Sequence, residues 1–270
     1  MNSQFIVNDA SATSLVLVAH GAVDAPRSNQ PLHQLAQRVA MQSDFAAVTP
    51  AFLNGEPLVS EVLGTLATDD VIVVPVMTSE GYYLKKLPAI FQQNRDFDSY
   101  RIRTTPVVGL HAGLADLMQQ RIRQHLMTLQ IANQPTTVVL IGHGTRRNTN
   151  SGTTTFQLAD QLKSLLSDEE KLQIVTAFLD QDPELSVVIE QADSESHLIA
   201  MPFLIALGPH MTDDVPAALG LECTLDSEFP LITNEAGRVV FCDQPLALYE
   251  SMPSIVLDLV GSLEPERSQV

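Results

Sequence analysis

Tryptophan is absent from the 270-residue chain, cysteine occurs only twice, and 15 basic side chains face 32 acidic ones. The charge deficit is the most restrictive of these. A net charge of −17 repels phosphate backbones and anionic headgroups, since nonspecific nucleic-acid binding depends on clustered Lys and Arg that release counterions. Neither nucleic acid nor a membrane is therefore an expected partner. Cys223 and Cys242 lie nineteen residues apart, without the paired spacing of a zinc ribbon or an iron–sulfur site, so neither a bound metal of that kind nor a disulfide is indicated. No apolar stretch reaches the roughly 18 residues of a membrane helix, and residues 1–9 lack a basic region leading into an apolar run. The expectation is a soluble, unexported protein in a reducing cytoplasm. A Gly-x-Ser-x-Gly elbow is also missing, which argues against a serine hydrolase.

What is present is a core: 45% of the residues are apolar, enough for one large or two ordinary domains. Self-comparison favours two. Leu15-Val16-Leu17-Val18-Ala19-His20-Gly21-Ala22 recurs as Val138-Val139-Leu140-Ile141-Gly142-His143-Gly144-Thr145. Ala51-Phe52-Leu53-Asn54 with Pro57 recurs as Ala177-Phe178-Leu179-Asp180 with Pro183. Val74-Pro75, leading to Gly81-Tyr82-Tyr83, recurs as Met201-Pro202, leading to Gly208-Pro209-His210. The blocks keep their order and nearly their offset, the mark of a duplicated unit. The acid excess is lopsided, because residues 134–270 hold 6 basic and 21 acidic side chains, whereas 1–133 hold 9 and 11.

Short β-branched runs at 14–19, 71–76, 137–142 and 197–203 alternate with amphipathic stretches such as Leu32-Leu35-Val39 and Leu158-Leu162-Leu165. Six-residue apolar runs bounded by turn residues suit strands buried on both faces, and the 3.6-residue period suits crossover helices. The expected fold class is α/β, with two similar flavodoxin-like domains at 1–133 and 134–270. Each would be a small parallel sheet of about four strands flanked by helices. Asn133-Gln134-Pro135 marks the expected boundary.

Open parallel sheets bind ligands beyond the carboxyl ends of their strands, at the point where neighbouring strands send their connections in opposite directions. In a flavodoxin-like order His143 ends the first strand of the second copy, His210 follows the third, and Asp180 ends the second. Two imidazoles and a carboxylate form a plausible donor set for a first-row divalent metal. Either residue type alone serves equally well as a turn device; their joint position is the argument. In the first copy His20 matches His143, but Tyr83 stands for His210 and Asn54 for Asp180, so that half is expected to carry a degenerate site. His33, His111, His125 and His197 lack this placement and are expected to be structural or surface residues. A second candidate is an anion cradle: Thr145, Arg146 and Arg147 lead through Ser151 and Thr155 into a helix, where hydroxyls, backbone N–H groups and guanidinium groups could hold carboxylates.

On these residues the sequence resembles the class II tetrapyrrole chelatases, most closely the sirohydrochlorin cobaltochelatase and ferrochelatase family in its tandem two-domain form. The resemblance spans about residues 13–260. Its carriers are Gly142-His143-Gly144-Thr145-Arg146, Ala177-Phe178-Leu179-Asp180 with Pro183, and Pro202-Phe203-Leu204 leading to Gly208-Pro209-His210 and Asp213-Asp214-Val215-Pro216. The resemblance implies two chelatase-like domains and ATP-independent insertion of cobalt(II) or iron(II) into sirohydrochlorin, in siroheme or cobalamin biosynthesis. It further implies that His143 and His210 line the insertion site, with an acidic residue, usually Glu, at the position of Asp180. Many relatives keep the working site in the amino-terminal half; here that half is the broken one. The metal, cobalt or iron and conceivably nickel, is substrate, and no tightly bound cofactor is expected. The expected assembly is a monomer that mimics a dimer internally. A metal or tetrapyrrole carrier would use the same histidines without turnover, and is the alternative.

Overall fold

The computed structural model describes residues 10–23, 26–93, 97–145, 150–224 and 227–263. It divides into two compact units, residues 1–111 with 250–270, and residues 112–249.

In the first unit, β1 (Thr13–Ala19), β2 (Ala47–Phe52), β3 (Asp70–Pro75) and β4 (Arg101–Thr104) form an all-parallel sheet in the order β2-β1-β3-β4. Every residue of β1 is buried, as a central strand covered on both faces requires. Of its helices, α1 (Gln30–Met41) buries Leu32, Leu35, Ala36 and Val39, the three-and-four spacing of one helical face. Short α2 (Val59–Val62) and α3 (Tyr82–Phe91) complete the βα connections.

The second unit opens on α4 (Gly113–Thr128) and repeats the pattern with β5 (Thr136–Gly142), α5 (Asn150–Leu165), β6 (Leu172–Phe178), α6 (Leu185–Gln191), β7 (His197–Pro202) and α7 (Val215–Leu219). Two further strands follow, β8 (Leu231–Glu235) and β9 (Arg238–Cys242), giving the order β6-β5-β7-β9-β8. Val139 and Ile141 of β5 join the core that holds Leu185, Val215 and Leu219. On the other parity a Cβ at Gly142 would lie 2.6 Å from Oγ1 of Thr155, so α5 covers the opposite face.

Three features depart from the expectations. The second sheet has five strands, because β8 joins β9 as an antiparallel hairpin through Ala236 and Gly237, both at positive φ. β8 exposes Ile232, Asn234 and Glu235 as an edge strand should, so it lacked the apolar run that betrays a central strand. In α5 the buried stripe runs Leu158, Leu162 and on to Leu166 just past its end, while Leu165 is turned outward.

The third departure concerns the units. Sequence repeat and compact unit are offset by one helix. α4, the last helix of the first repeat, packs against α5 and belongs to the second unit, while α8 (Met252–Gly261), the last of the second repeat, packs on α1 and β3 in the first. In the first exchange polar anchoring joins the buried apolar face of α4, which includes Leu114, Met118 and Ile122. Arg121 of α4 clasps the fully buried Asp243 through Nε to Oδ2 at 2.8 Å and Nη2 to Oδ1. His125 Nε2 lies 3.1 Å from the same carboxylate, the Tyr249 hydroxyl donates to it at 3.0 Å, and Arg121 stacks over the Tyr249 ring. Burial alone would raise the pKa of Asp243, but the adjacent His125 ring and the Arg121 hydrogen bonds outweigh it and hold the carboxyl at about 2. α8 is held differently, by an apolar surface in which Ile255, Val256, Leu259 and Val260 are buried.

Candidate metal centre

The exit of β5 is a His-Gly turn. Gly144 adopts φ +69°, and a Cβ there would lie 2.6 Å from Cβ of Gln181, so conformation and space both demand glycine. This turn sends His143 past the strand end. The exit of β6 is stitched to it: the Leu179 N–H donates to Gly142 O at 3.2 Å and the Asp180 N–H to His143 O at 2.9 Å. The exit of β7 is tied to the same strand by Phe203 N–H to Ile141 O at 2.8 Å. Three strand ends therefore converge where the connections diverge, as the parallel topology predicts.

His210 opens a π-helical turn, His210–Asp214, in which the Val215 N–H closes on His210 O five residues back. Such wide turns concentrate at functional sites. The His143 and His210 ring centroids are 4.6 Å apart and nearly perpendicular, at 88°. One ring nitrogen of each histidine and a carboxylate oxygen of Asp180 all lie within 4.8 Å of one another. Among the described residues this is the group of three His, Cys, Asp or Glu side chains that could hold a metal ion. The three side chains are 48%, 37% and 56% exposed, so a hydrated ion and a large planar ligand can both reach them.

Each imidazole has a partner that fixes its tautomer. His143 Nδ1 lies 2.8 Å from the Gly144 carbonyl, which can only accept, so Nδ1 carries the proton; Oδ2 of Asp180 is 3.6 Å from the same nitrogen. His210 Nδ1 lies 2.6 Å from Oδ2 of Asp214. In both rings Nε2 is the nitrogen whose lone pair is left for a metal.

The first unit shows the same framework with one imidazole, His20, and neither of the other two donors. Asn54 N–H donates to His20 O at 2.8 Å, as Asp180 does to His143, and Gly21 repeats the positive-φ turn at +74°. His20 and Tyr83 meet edge to face at 4.7 Å, the counterpart of the imidazole pair. The Asn54 amide nitrogen, 3.3 Å from His20 Nε2, has only hydrogens to offer, so it engages the lone pair a metal would need.

The other candidates divide. Arg146 and Arg147 lie outside the described residues, as does the side chain of Ser151. The Thr145 N–H turns to Oε1 of Gln181 at 3.4 Å. Thr155 is buried beneath Gly142 and unavailable to an anion. His197 is structural: Nδ1 accepts from the Val239 N–H at 3.1 Å, Nε2 faces Gln134 at 2.9 Å, and desolvation followed by the nearby Arg238 charge lowers its pKa. The sequence reading missed Asp214 as a partner of His210, although His-x-x-x-Asp is the spacing that puts two residues on one helical face.

Two α/β units in one chain, one gathering two imidazoles and a carboxylate at its strand exits, offer an exposed donor set suited to a divalent metal, and comparison with known proteins places the chain among the chelatases. A family model described as CbiX matches residues 14–125 and again 137–263, and the chain belongs to that family. A probable sirohydrochlorin cobaltochelatase of Halobacterium salinarum is 28% identical over 224 residues, 75% of this chain and 75% of the relative. The structure of CbiX, the terminal enzyme for biosynthesis of siroheme in denitrifying bacteria, aligns with TM-score 0.69 at 21% identity, over 93% of this chain and 100% of that one. SirB from Bacillus subtilis with Fe3+ aligns with TM-score 0.69 at 16% identity, over 92% and 94% of the two chains. These likenesses show the fold. No helix of the described residues is long and apolar enough to cross a membrane.

Proposed function

We propose that this chain inserts a divalent metal, cobalt or iron, into sirohydrochlorin or a closely related tetrapyrrole without ATP, at the His143–His210–Asp180 cluster of its second unit. The contrast between the two units carries the reading. Identical backbone stitching presents two imidazoles and a carboxylate in one unit, and an imidazole, an amide and a phenol in the other. Membership of the CbiX family and the name of the Halobacterium relative support the substrate class.

The reaction exchanges a divalent ion for the two N–H protons of the macrocycle. The donors must therefore hold the ion without trapping it, and then accept protons. Neutral imidazole does either, since the lone pair that binds a metal also binds H⁺. His143 and His210 present the ion through Nε2, and each vacated nitrogen receives a proton as the ion enters the ring plane. Asp180 balances the charge of the incoming ion and, half exposed, passes protons to solvent. Arg146 and Arg147, next to His143 in sequence, would grip carboxylates of the macrocycle, so Arg146→Ala should raise KM for sirohydrochlorin more than it lowers kcat. The working form is a single chain, to be checked by light scattering.

Anaerobic incubation with sirohydrochlorin and each metal in turn, followed by the macrocycle's absorption spectrum, tests the proposal. His143→Ala and His210→Ala should each nearly abolish insertion, while His20→Ala should leave it unchanged. The reverse ranking would defeat the assignment. Tight equilibrium binding of metal or macrocycle with no spectral conversion would mark a carrier instead.

A further inference from the structure

We infer that Asp214 is a positioning residue for the metal centre: its carboxylate holds His210 in the Nδ1–H tautomer and so directs the Nε2 lone pair to the ion. The inference rests on the reading that His210 is a metal donor. Isolated neutral imidazole offers either nitrogen, and a ring free to change tautomer or rotate binds metal less well than one held by a second hydrogen bond. His210 is the donor that needs such help. The proton on His143 is fixed by a backbone carbonyl within its own turn, which no side-chain change removes. His210 has no backbone acceptor at Nδ1 and relies on a side chain four residues on, at 2.6 Å. The π-helical turn provides that alignment, by placing residues 210 and 214 on one face.

The first unit supplies the contrast. Tyr83 occupies the place of His210, and four residues further stands Leu87, buried in the core. The unit that lost the imidazole thus has no carboxylate to orient one. Asp214 itself is 57% exposed, so it contributes little to the core and its replacement should leave the fold intact.

Two measurements decide the matter. Long-range ¹⁵N–¹H correlation spectra of the metal-free protein should show the His210 ring as the Nδ1–H tautomer in wild type. In Asp214→Ala the ring should shift toward Nε2–H or a mixture. Titration with cobalt(II) alone, followed by its visible absorption, should give about 10–100-fold weaker binding for Asp214→Ala. The isosteric Asp214→Asn, which can still accept the Nδ1–H bond through its amide oxygen, should fall between the two. KM for sirohydrochlorin should stay within about twofold of wild type, because the residue acts on the metal donor. An Asp214→Ala protein with unchanged tautomer and cobalt affinity, alongside a His210→Ala protein that has lost cobalt, would overturn this role. Unchanged cobalt binding in both variants would overturn the metal centre itself, and the tautomer spectrum would still report whether Asp214 sets the ring.

Discussion

At the scale of single residues, the two strand-exit sites are a natural substitution series. Position 180 carries a carboxylate and its counterpart an amide, Asn54, held by the same backbone hydrogen bond to the histidine carbonyl. Asp180→Asn should therefore reproduce in the second unit what the first already has, lowering the insertion rate at least about tenfold if the charge matters as argued. Conversely, Asn54→Asp combined with Tyr83→His should add a second, weaker equivalent of cobalt per chain in equilibrium dialysis; Leu87 in place of a carboxylate limits its strength. Glycine gives a paired test. Gly144 and Gly220 share a left-handed conformation, at φ +69° and +67°, but a Cβ at Gly220 meets open space. Gly220→Ala should cost about 1–2 kcal/mol for conformation alone. Gly144→Ala adds overlap with Gln181, so a urea midpoint should show a larger loss, roughly 2–4 kcal/mol, with insertion impaired as well. That His143, His210 and Asp180 would converge was readable, because duplication marked the strand exits on which they sit. Asp214 was missed although its four-residue spacing from His210 was visible, because nothing in the pattern announces that residues 210–214 form a helical turn.

Secondary-structure elements were legible wherever burial imposed a pattern. The central strands came within a residue of their observed ends, since side chains between two helical layers are mostly apolar. β8 escaped notice because an edge strand has one exposed face and no such constraint. Nor could periodicity reveal which unit α4 would join, because its apolar face suits either and its polar contacts link Arg121 and His125 to Asp243, far off in sequence. The buried carboxylate makes the docking of α4 sensitive to acid. Its pKa is about 2 folded against 3.8 unperturbed, so its stabilisation is complete above about pH 4 and is lost as the pH falls through 2. The shift corresponds to about 2 kcal/mol. Asp243→Asn should therefore be clearly less stable than wild type at pH 7 in urea, with the gap narrowing toward pH 2. Asp243→Ala, which strands the Arg121 guanidinium, should lose about 3–5 kcal/mol at pH 7. A gap that does not change with pH would contradict this account.

At the scale of the whole molecule, the sequence shows two repeats and the structure two bodies, and they are not the same pair. A cut at the repeat boundary, yielding 134–270, removes α4 from its unit and leaves the apolar face of α8 without α1. That fragment should aggregate or fail to melt cooperatively. A fragment of 112–249, which keeps Arg121 with Asp243, should be soluble and melt in one transition, as followed by circular dichroism.

The exchange of terminal helices means that neither sequence repeat is a self-sufficient body. The final helix of the first repeat is a wall of the second unit, and the final helix of the second repeat is a wall of the first. Deleting either repeat would strip a wall from the body that remained, so the two halves of the gene share one fate.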